Sequence, residues 1–278
     1  MTRRIVLLLL SLPFALSVFA LPASSPGEKY RKAMSLLVGN NPNLEDRNDA
    51  FNLLRSAADQ GFAPAQTSLG TAYELGTLSA PDIQRAIDWY TKAANQGDWI
   101  AQFSLGRIYF SGVGVPRDAT EARKWFAWAA ISGDGGSAHY LGRLFDEGEP
   151  AADYSQAAKW YRQSAEKGNP FAQERLGQLW LKGLVGSGSR QEAYAWLLVA
   201  VEFGNSHALQ ALQSMESDIG KSGADAARKQ ALEIRDRILG YRERACGQWD
   251  GQYADLPTPP PLELQFSCRT INPGSAAD

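Results

Sequence analysis

Few residues in this chain have types and spacings that could do chemistry. Ser164-Ala165-Glu166-Lys167 places a lysine one helical turn after a serine, the spacing at which an amine can activate a hydroxyl nucleophile, and Lys221-Ser222-Gly223 could supply a second cationic element. That chemistry needs the serine at a helix start inside a pocket, faced by a strand carrying the Lys-Ser-Gly, and no strand is predicted near Lys221. His139 and His207 each lack a second His or a Cys nearby and read as ordinary core or surface histidines. Two His and two Cys are too few for any familiar zinc array, so no metal is expected. The glycine-rich stretch Gly183 to Gly188 lacks the Lys-Ser/Thr end of a phosphate-binding loop. Asp146, Glu147 and Glu149 read as a solvated loop rather than as an acid–base pair. The expectation is a protein without catalytic residues or cofactor.

Composition agrees with a folded, non-nucleic-acid-binding chain. Of 278 residues, 44% are hydrophobic, enough for a sizeable core. Lys and Arg number 28 against 30 Asp and Glu, so the basic excess that usually accompanies nucleic-acid binding is missing. Residues 1–20 carry Arg3 and Arg4, then an apolar run from Ile5 to Phe19 ending in Val18-Phe19-Ala20. A positive start, a short apolar run and small residues at the cleavage point are the marks of a secretory signal peptide, with cleavage after Ala20 or Ala23. Pro13 and Ser11 interrupt the run, and no other stretch is apolar enough to span a bilayer. Periplasmic or secreted location follows as an expectation. Such a compartment is oxidising, so Cys246 and Cys268 are expected to form a disulfide. Closing that loop would stabilise by about 3 kcal/mol in the chain-entropy model.

The elements that would position these residues are set by a repeat. Gly61, Gly97, Gly133, Gly168 and Gly204 are spaced by 36, 36, 35 and 36 residues. Leu69, Leu105, Leu141, Leu176 and Leu212 keep the same spacing, as do Ala50, Ala86, Ala122, Ala157 and Ala193. Each period reads as two helices. Asp46, Asp82, Asp118, Asp153 and Ser189 stand as N-caps four residues before the column alanine, and Glu121, Gln156 and Glu192 complete capping boxes. The first helix carries Trp89-Tyr90, Trp125-Phe126, Trp160-Tyr161 or Trp196-Leu197, whose Trp column is expected in the core, and ends in Ala-Ala-x-x-Gly. The second helix, from Ala101 to Tyr109 in one repeat, holds a recurrent interior glycine at Gly70, Gly106, Gly142 and Gly177. A mid-helix Gly costs about 1 kcal/mol against Ala, so its recurrence predicts the close approach of a neighbouring helix backbone.

These residues resemble the Sel-one-like repeat, a relative of the tetratricopeptide repeat, whose pattern is Ala-x-x-x-Leu-Gly-x-x-Tyr-x-x-Gly-x-Gly-Val-x-x-Asp followed by Ala-x-x-Trp-Tyr-x-x-Ala-Ala-x-x-Gly. Residues 101–133 follow it almost throughout, including Gly112-Val113-Gly114-Val115 and Asp118. The resemblance covers about residues 28–219. It implies an all-α fold, a right-handed α/α solenoid of about five helix pairs with a C-terminal capping helix. It also implies action through the concave face, since related proteins serve as adaptors in signalling, secretion, envelope assembly and host contact. Some cysteine-rich members are linked to β-lactam binding, which gives the Ser164/Lys167 spacing of penicillin-recognising enzymes its interest. Those members carry Cys pairs within repeats, and this chain has none there. Ser164 also falls in the column of Ala93 and Ala129.

The expected organisation is a signal peptide at 1–20, a solenoid at 21–219, a capping helix at 220–249 and a Pro-rich tail at 250–278 tethered by the disulfide. In the capping helix Ala224, Ala227, Ala231, Ile234, Ile238, Tyr241 and Ala245 form a seam. The expected function is that of an exported, monomeric scaffold binding a protein or peptide of the cell envelope through the second helix of each pair. A β-lactam- or peptidoglycan-binding hydrolase and a secreted host-interaction factor are the alternatives. The candidate contacts are Phe103, Arg107, Phe110, His139 and Arg143, with Trp128 singled out because its column otherwise holds Lys92, Gln163 and Val199. Arg107 and Arg143 share a column and are read as a ladder able to clamp carboxylates. Phe110 shares its column with Glu74, Asp146 and Leu181.

Overall fold

The computed structural model describes residues 24–38, 42–132, 134–148, 152–186 and 189–252. The expected signal peptide, Gly133, Glu149, Cys268, the side chain of Cys246 and the Pro-rich tail lie outside the described residues. Every element among the described residues is an α-helix: α1 (Pro26–Val38), α2 (Leu44–Asp59), α3 (Ala63–Leu75), α4 (Ile83–Ala94), α5 (Trp99–Ser111), α6 (Ala119–Ile131), α7 (Gly135–Asp146), α8 (Tyr154–Glu166), α9 (Pro170–Leu181), α10 (Arg190–Glu202) and α11 (Ala208–Gln252). The last is two arms meeting at Gly220, whose φ of 66° and ψ of 166° break the helix. Among the described residues α1–α10 make the five expected pairs, and the second arm of α11 is the expected capping helix, about six pairs when both arms are counted.

Helix starts follow the sequence closely, with one correction. Asp82, Asp118, Asp153 and Ser189 cap α4, α6, α8 and α10 by accepting from backbone amides of the first turn. At α2 the cap is Asn43, not Asp46, because the helix begins a turn earlier. Asp46 sits at the third helical position and completes a reciprocal box, its amide donating to Asn43 Oδ1 at 2.9 Å while Asn43 N–H donates to its carboxylate at 3.2 Å. The boxes expected at Glu121, Gln156 and Glu192 are half-formed: the cap accepts, but the return bond is missing, and Glu121 pairs with Lys124 instead. At the short turns Gly97, Gly168 and Gly204 take φ of 89°, 91° and 96°, which a side chain would resist. Asp98, Asp134 and Asn169 then cap the helix that follows.

The column alanines are fully buried, and Leu69, Leu105, Leu141 and Leu176 are at most 1% exposed. Trp125 and Trp196 are buried with them, but Trp89 and Trp160 are only half-buried. The outer face of Trp89 is covered by its own helix neighbour, Lys92 Nζ lying 3.8 Å from the ring centroid.

The interior glycines have a different cause from the one expected. A Cβ on Gly70, Gly106 or Gly142 would lie 2.5–2.6 Å from a ring carbon of Tyr90, Phe126 or Tyr161. On Gly177 it would meet Leu197 Cγ at 2.8 Å and the Ala193 carbonyl at 3.0 Å. Three of the four glycines therefore seat an aromatic side chain of the next helix, and only Gly177 also faces backbone. The hairpins with this seating, α3–α4, α5–α6, α7–α8 and α9–α10, pack more closely than the α4–α5, α6–α7 and α8–α9 junctions that join them.

The second arm of α11 closes the array. Ala227, Ala231, Ile234 and Ile238 are buried in one cluster with α10 side chains including Trp196 and Leu197. About 33 Å beyond Gly220, at the helical rise, Arg242 donates to the Gly168 carbonyl at 2.9 Å and covers the Phe203 ring at 4.6 Å.

Gly106→Ala separates two opposing effects. Helix propensity favours Ala by about 1 kcal/mol, whereas forcing a methyl into the Phe126 ring costs about 1–3 kcal/mol. Phe126 is fully buried and has nowhere to move. A lower thermal midpoint is expected; an unchanged or higher midpoint would show that the ring shifts without cost.

Candidate binding surface

In a curved stack the elements on the inner side of the bend lie closest together. Here α3, α5, α7 and α9 touch one another in succession, more closely than α4, α6, α8 and α10 do. These second helices of the repeats form the inner face. Three buried glutamines along them fix its spacing: Gln66, Gln102 and Gln173 each donate to a carbonyl at the end of the preceding helix, Ala58, Ala94 or Ala165, at 3.0–3.1 Å.

Side chains bridge the inner helices in three zones. In the first, Glu74 on α3 accepts from the Tyr90 hydroxyl at 2.9 Å and pairs with Arg107 on α5. In the third, Asp146 on α7 accepts from the Tyr161 hydroxyl at 3.0 Å and is held by two bonds from Arg175 on α9. Burial pushes both tyrosine hydroxyls upward, and the neighbouring carboxylates push further, so both stay protonated as donors. In the zone between, the equivalents of tyrosine and acid are Phe126 and Phe110, whose rings pack at 6.3 Å. Phe103 and Phe110 lie against Tyr140 at 5.8 and 5.2 Å, and Tyr140 stacks on Phe126 at 4.9 Å.

The sequence-predicted contacts divide accordingly. Phe103, Arg107, Phe110, His139 and Arg143 come together on this inner face. Arg107 and Arg143 do not form a free ladder: Arg107 is committed to Glu74, and Arg143 pairs with Glu147 at 3.0 Å while covering Phe110 at 4.8 Å. Trp128 belongs to α6 on the other layer, 41% exposed and edge-on to Trp125. His139 lies among Tyr140, Tyr161 and Phe171. Burial, with Arg143 adding to it, lowers its pKa to about 4. His207 is exposed.

Two readings are corrected. Asp146 is no loop residue; it is the buried end of α7, recruited by Tyr161 and Arg175. Ser164 is fully buried, and its hydroxyl donates to the Gly135 carbonyl at 2.8 Å. Lys221 and Ser222 are exposed on α11, a helix rather than a strand. The hydrolase arrangement is therefore not built. No group of three or more His, Cys, Asp or Glu that could hold a metal occurs among the described residues, and none of their helices is long and apolar enough to cross a membrane.

Sequence reasoning missed Tyr140, Arg175 and Phe171. Phe171 is the most exposed aromatic of this face, at 58%, and follows Pro170 at the start of α9. Its column reads Pro64, Ile100, Gly136, Phe171, so the aromatic is a departure that the spacing alone could have flagged.

Comparisons with known proteins follow the same units. A family model described as Sel1 repeat matches residues 42–62, 63–98, 99–134, 136–169 and 170–202. Among solved structures, a Sel1 repeat protein from Oxalobacter formigenes is 27% identical with a TM-score of 0.55, covering 74% of this chain and 94% of that one. The protective antigen c5321 of uropathogenic Escherichia coli, with an SLR fold, is 24% identical over 89% of this chain and 64% of its own, with a TM-score of 0.27. An immunity protein from Pseudomonas aeruginosa, PA5088, is 20% identical over 79% of this chain and 84% of its own, with a TM-score of 0.41. No curated protein sequence matches the chain.

Two outcomes test this geometry. Arg175→Ala strands the buried Asp146 carboxylate and is expected to cost about 1–3 kcal/mol in urea unfolding, part of which Asp146→Ala in the same chain recovers. An unaffected Arg175→Ala variant would mean that solvent replaces the pair. For His139 the folded pKa lies below the unfolded value near 6.5, so the unfolded chain binds more protons between about pH 4 and 6.5. Its stabilising contribution is whole above pH 6.5 and is lost on acidification. Between pH 7 and 4.5 wild type should lose about 2 kcal/mol more than His139→Phe; parallel profiles would refute a depressed pKa.

Proposed function

The chain belongs to the Sel1 repeat family, and on that premise we propose that it is an exported, non-enzymatic scaffold that binds a protein or peptide of the cell envelope on its inner face. The observation that carries this reading is the middle zone of that face. There, partly exposed rings are gathered beside an arginine without enclosing a reaction site. Phe103, Phe110 and Tyr140 form the floor, His139 and the exposed Phe171 extend it onto α9, and Arg143 stands at its edge. Aromatic anchors flanked by arginine are the residue types that dominate binding energy at protein interfaces.

The polar zones on either side have a supporting role. Glu74–Arg107 and Asp146–Arg175 neutralise their own charges and hold adjacent repeats in register. A partner segment would therefore place an apolar or aromatic side chain against Phe171 and an acceptor toward Arg143. Arg107 contributes through its pair with Glu74. Trp128 stands outside this contact. Export rests on the charged start and apolar run of residues 1–20. The mature protein is read as a monomer in the periplasm or outside the cell.

Mature residues 21–278, used as bait in envelope extract beside a Phe171→Ala/Arg143→Ala variant, give the test. Both substituted side chains are partly exposed, so the fold is expected to persist. A protein retained by wild type and bound roughly tenfold more weakly by the variant is expected. Equal retention by both would remove the inner face from the reading.

A further inference from the structure

We propose that the opposite layer carries a second binding site, one for an acidic peptide segment, in an open depression of about 520 Å³ between α8, α10 and the turn after α9. Its lining includes Lys159, Arg162, Trp180, Val185 and Glu192. Trp180 is 8% exposed and forms an apolar floor, and the Arg162 guanidinium lies over its ring at 5.0 Å. The contact holds the guanidinium beside the apolar floor at the edge of the depression. Neither Lys159 nor Arg162 has a carboxylate partner among the described residues, and both are exposed. Glu192, the carboxylate of the lining, stands beyond ion-pair distance of both.

The repeat supplies an internal control. One period earlier, the positions of Arg162, Trp180 and Glu192 hold Ala127, Phe145 and Gln156. There Phe145 is covered instead by Arg123, at 4.9 Å from another position of the preceding helix, so an arginine over this column's ring recurs while its position and the size of the ring differ. Lys159 alone repeats, as Lys124, and there it is paired with Glu121. What differs here is that the arginine over the ring stands beside a lysine without a carboxylate partner, above a tryptophan floor. A carboxylate would bridge Lys159 and Arg162, and a neighbouring apolar side chain would cover Trp180 and Val185. The depression is open and floored by Trp180 and Val185, which suits an extended segment; a bare inorganic anion would find no enclosing donors. Trp180 comes from the last turn of α9 and Phe171 from its first, about 13 Å apart along the helix, so this site stands or falls independently of the inner face.

The probe is the capped peptide acetyl-Glu-Glu-Phe-Glu-Glu-amide, titrated into the nitrogen-15-labelled mature chain. The indole resonance of Trp180, identified by its loss in Trp180→Phe, is expected to shift and saturate. Lys159→Glu/Arg162→Glu should bind roughly tenfold more weakly with an unchanged thermal midpoint. Arg162→Gln, a milder change, should give an intermediate loss and guards against a misfolded double variant. The proposal is overturned if the charge-reversed chain binds equally well. It is equally overturned if sulfate at the same concentration reproduces the shift, or if the peptide perturbs only the surroundings of Phe171.

Discussion

Each repeat closes around a place where a helix has no side chain. Gly70, Gly106 and Gly142 leave a bare strip of backbone on the inner helix, and the ring of Tyr90, Phe126 or Tyr161 lies against it at a distance that a methyl group would forbid. This one contact sets the depth of the hairpin, and through it the burial of the column alanines and leucines. It also fixes where the far end of the ring arrives, next to the last turn of the inner helix. The helix-weakening effect of glycine is offset by burying a large ring without a void.

The identity of that ring then decides what the inner face looks like. Where it is tyrosine, the hydroxyl arrives buried and needs an acceptor, and Glu74 or Asp146 supplies one. The carboxylate in turn recruits an arginine from the next inner helix. Where the ring is Phe126, no hydroxyl arrives, the acceptor position is Phe110, and Arg143 settles on aromatic faces and a neighbour on its own helix. With Leu197, the matching position is Leu181, and both belong to one apolar cluster. The aromatic middle of the surface is thus the downstream result of one missing hydroxyl, flanked by two polar zones that keep adjacent repeats aligned.

Much of this was legible from spacing. The three columns predicted the helix pairs, their caps and their turns, because burial and chain reversal demand particular residue types at fixed intervals. The rule linking Tyr90 with Glu74 and Phe126 with Phe110 was also present, since both columns are visible, but it emerges only once the two are known to touch. Asp146 illustrates the limit. Beside Glu147 and Glu149 it looks like solvent-facing acid, and only the arrival of Tyr161 from α8 and Arg175 from α9 makes it a buried acceptor. Asn43 preceded the expected cap because helix starts depend on which of several competent residues the chain direction favours. Trp89 and Trp160 kept the period of the core yet remain half-covered, whereas Trp125 and Trp196 in the same column are buried. Phe171 and Arg162 are departures from the pattern, and a pattern by its nature says least about its exceptions.

The second arm of α11 alters how the array holds together as a whole. In an ideal solenoid each unit feels only its neighbours, so unfolding can start at either end and travel as a fraying boundary. Here Arg242 clasps the turn at Gly168, and Ile234 and Ile238 share a cluster with α10, so contacts from α11 skip back across the α9–α10 repeat. Removing any unit between α8 and α11 therefore breaks the clasp as well as its own interfaces. The C-terminal part is thereby tied together more closely than a nearest-neighbour stack would be. A force or a protease acting on α11 therefore meets a fastened block rather than a fraying edge.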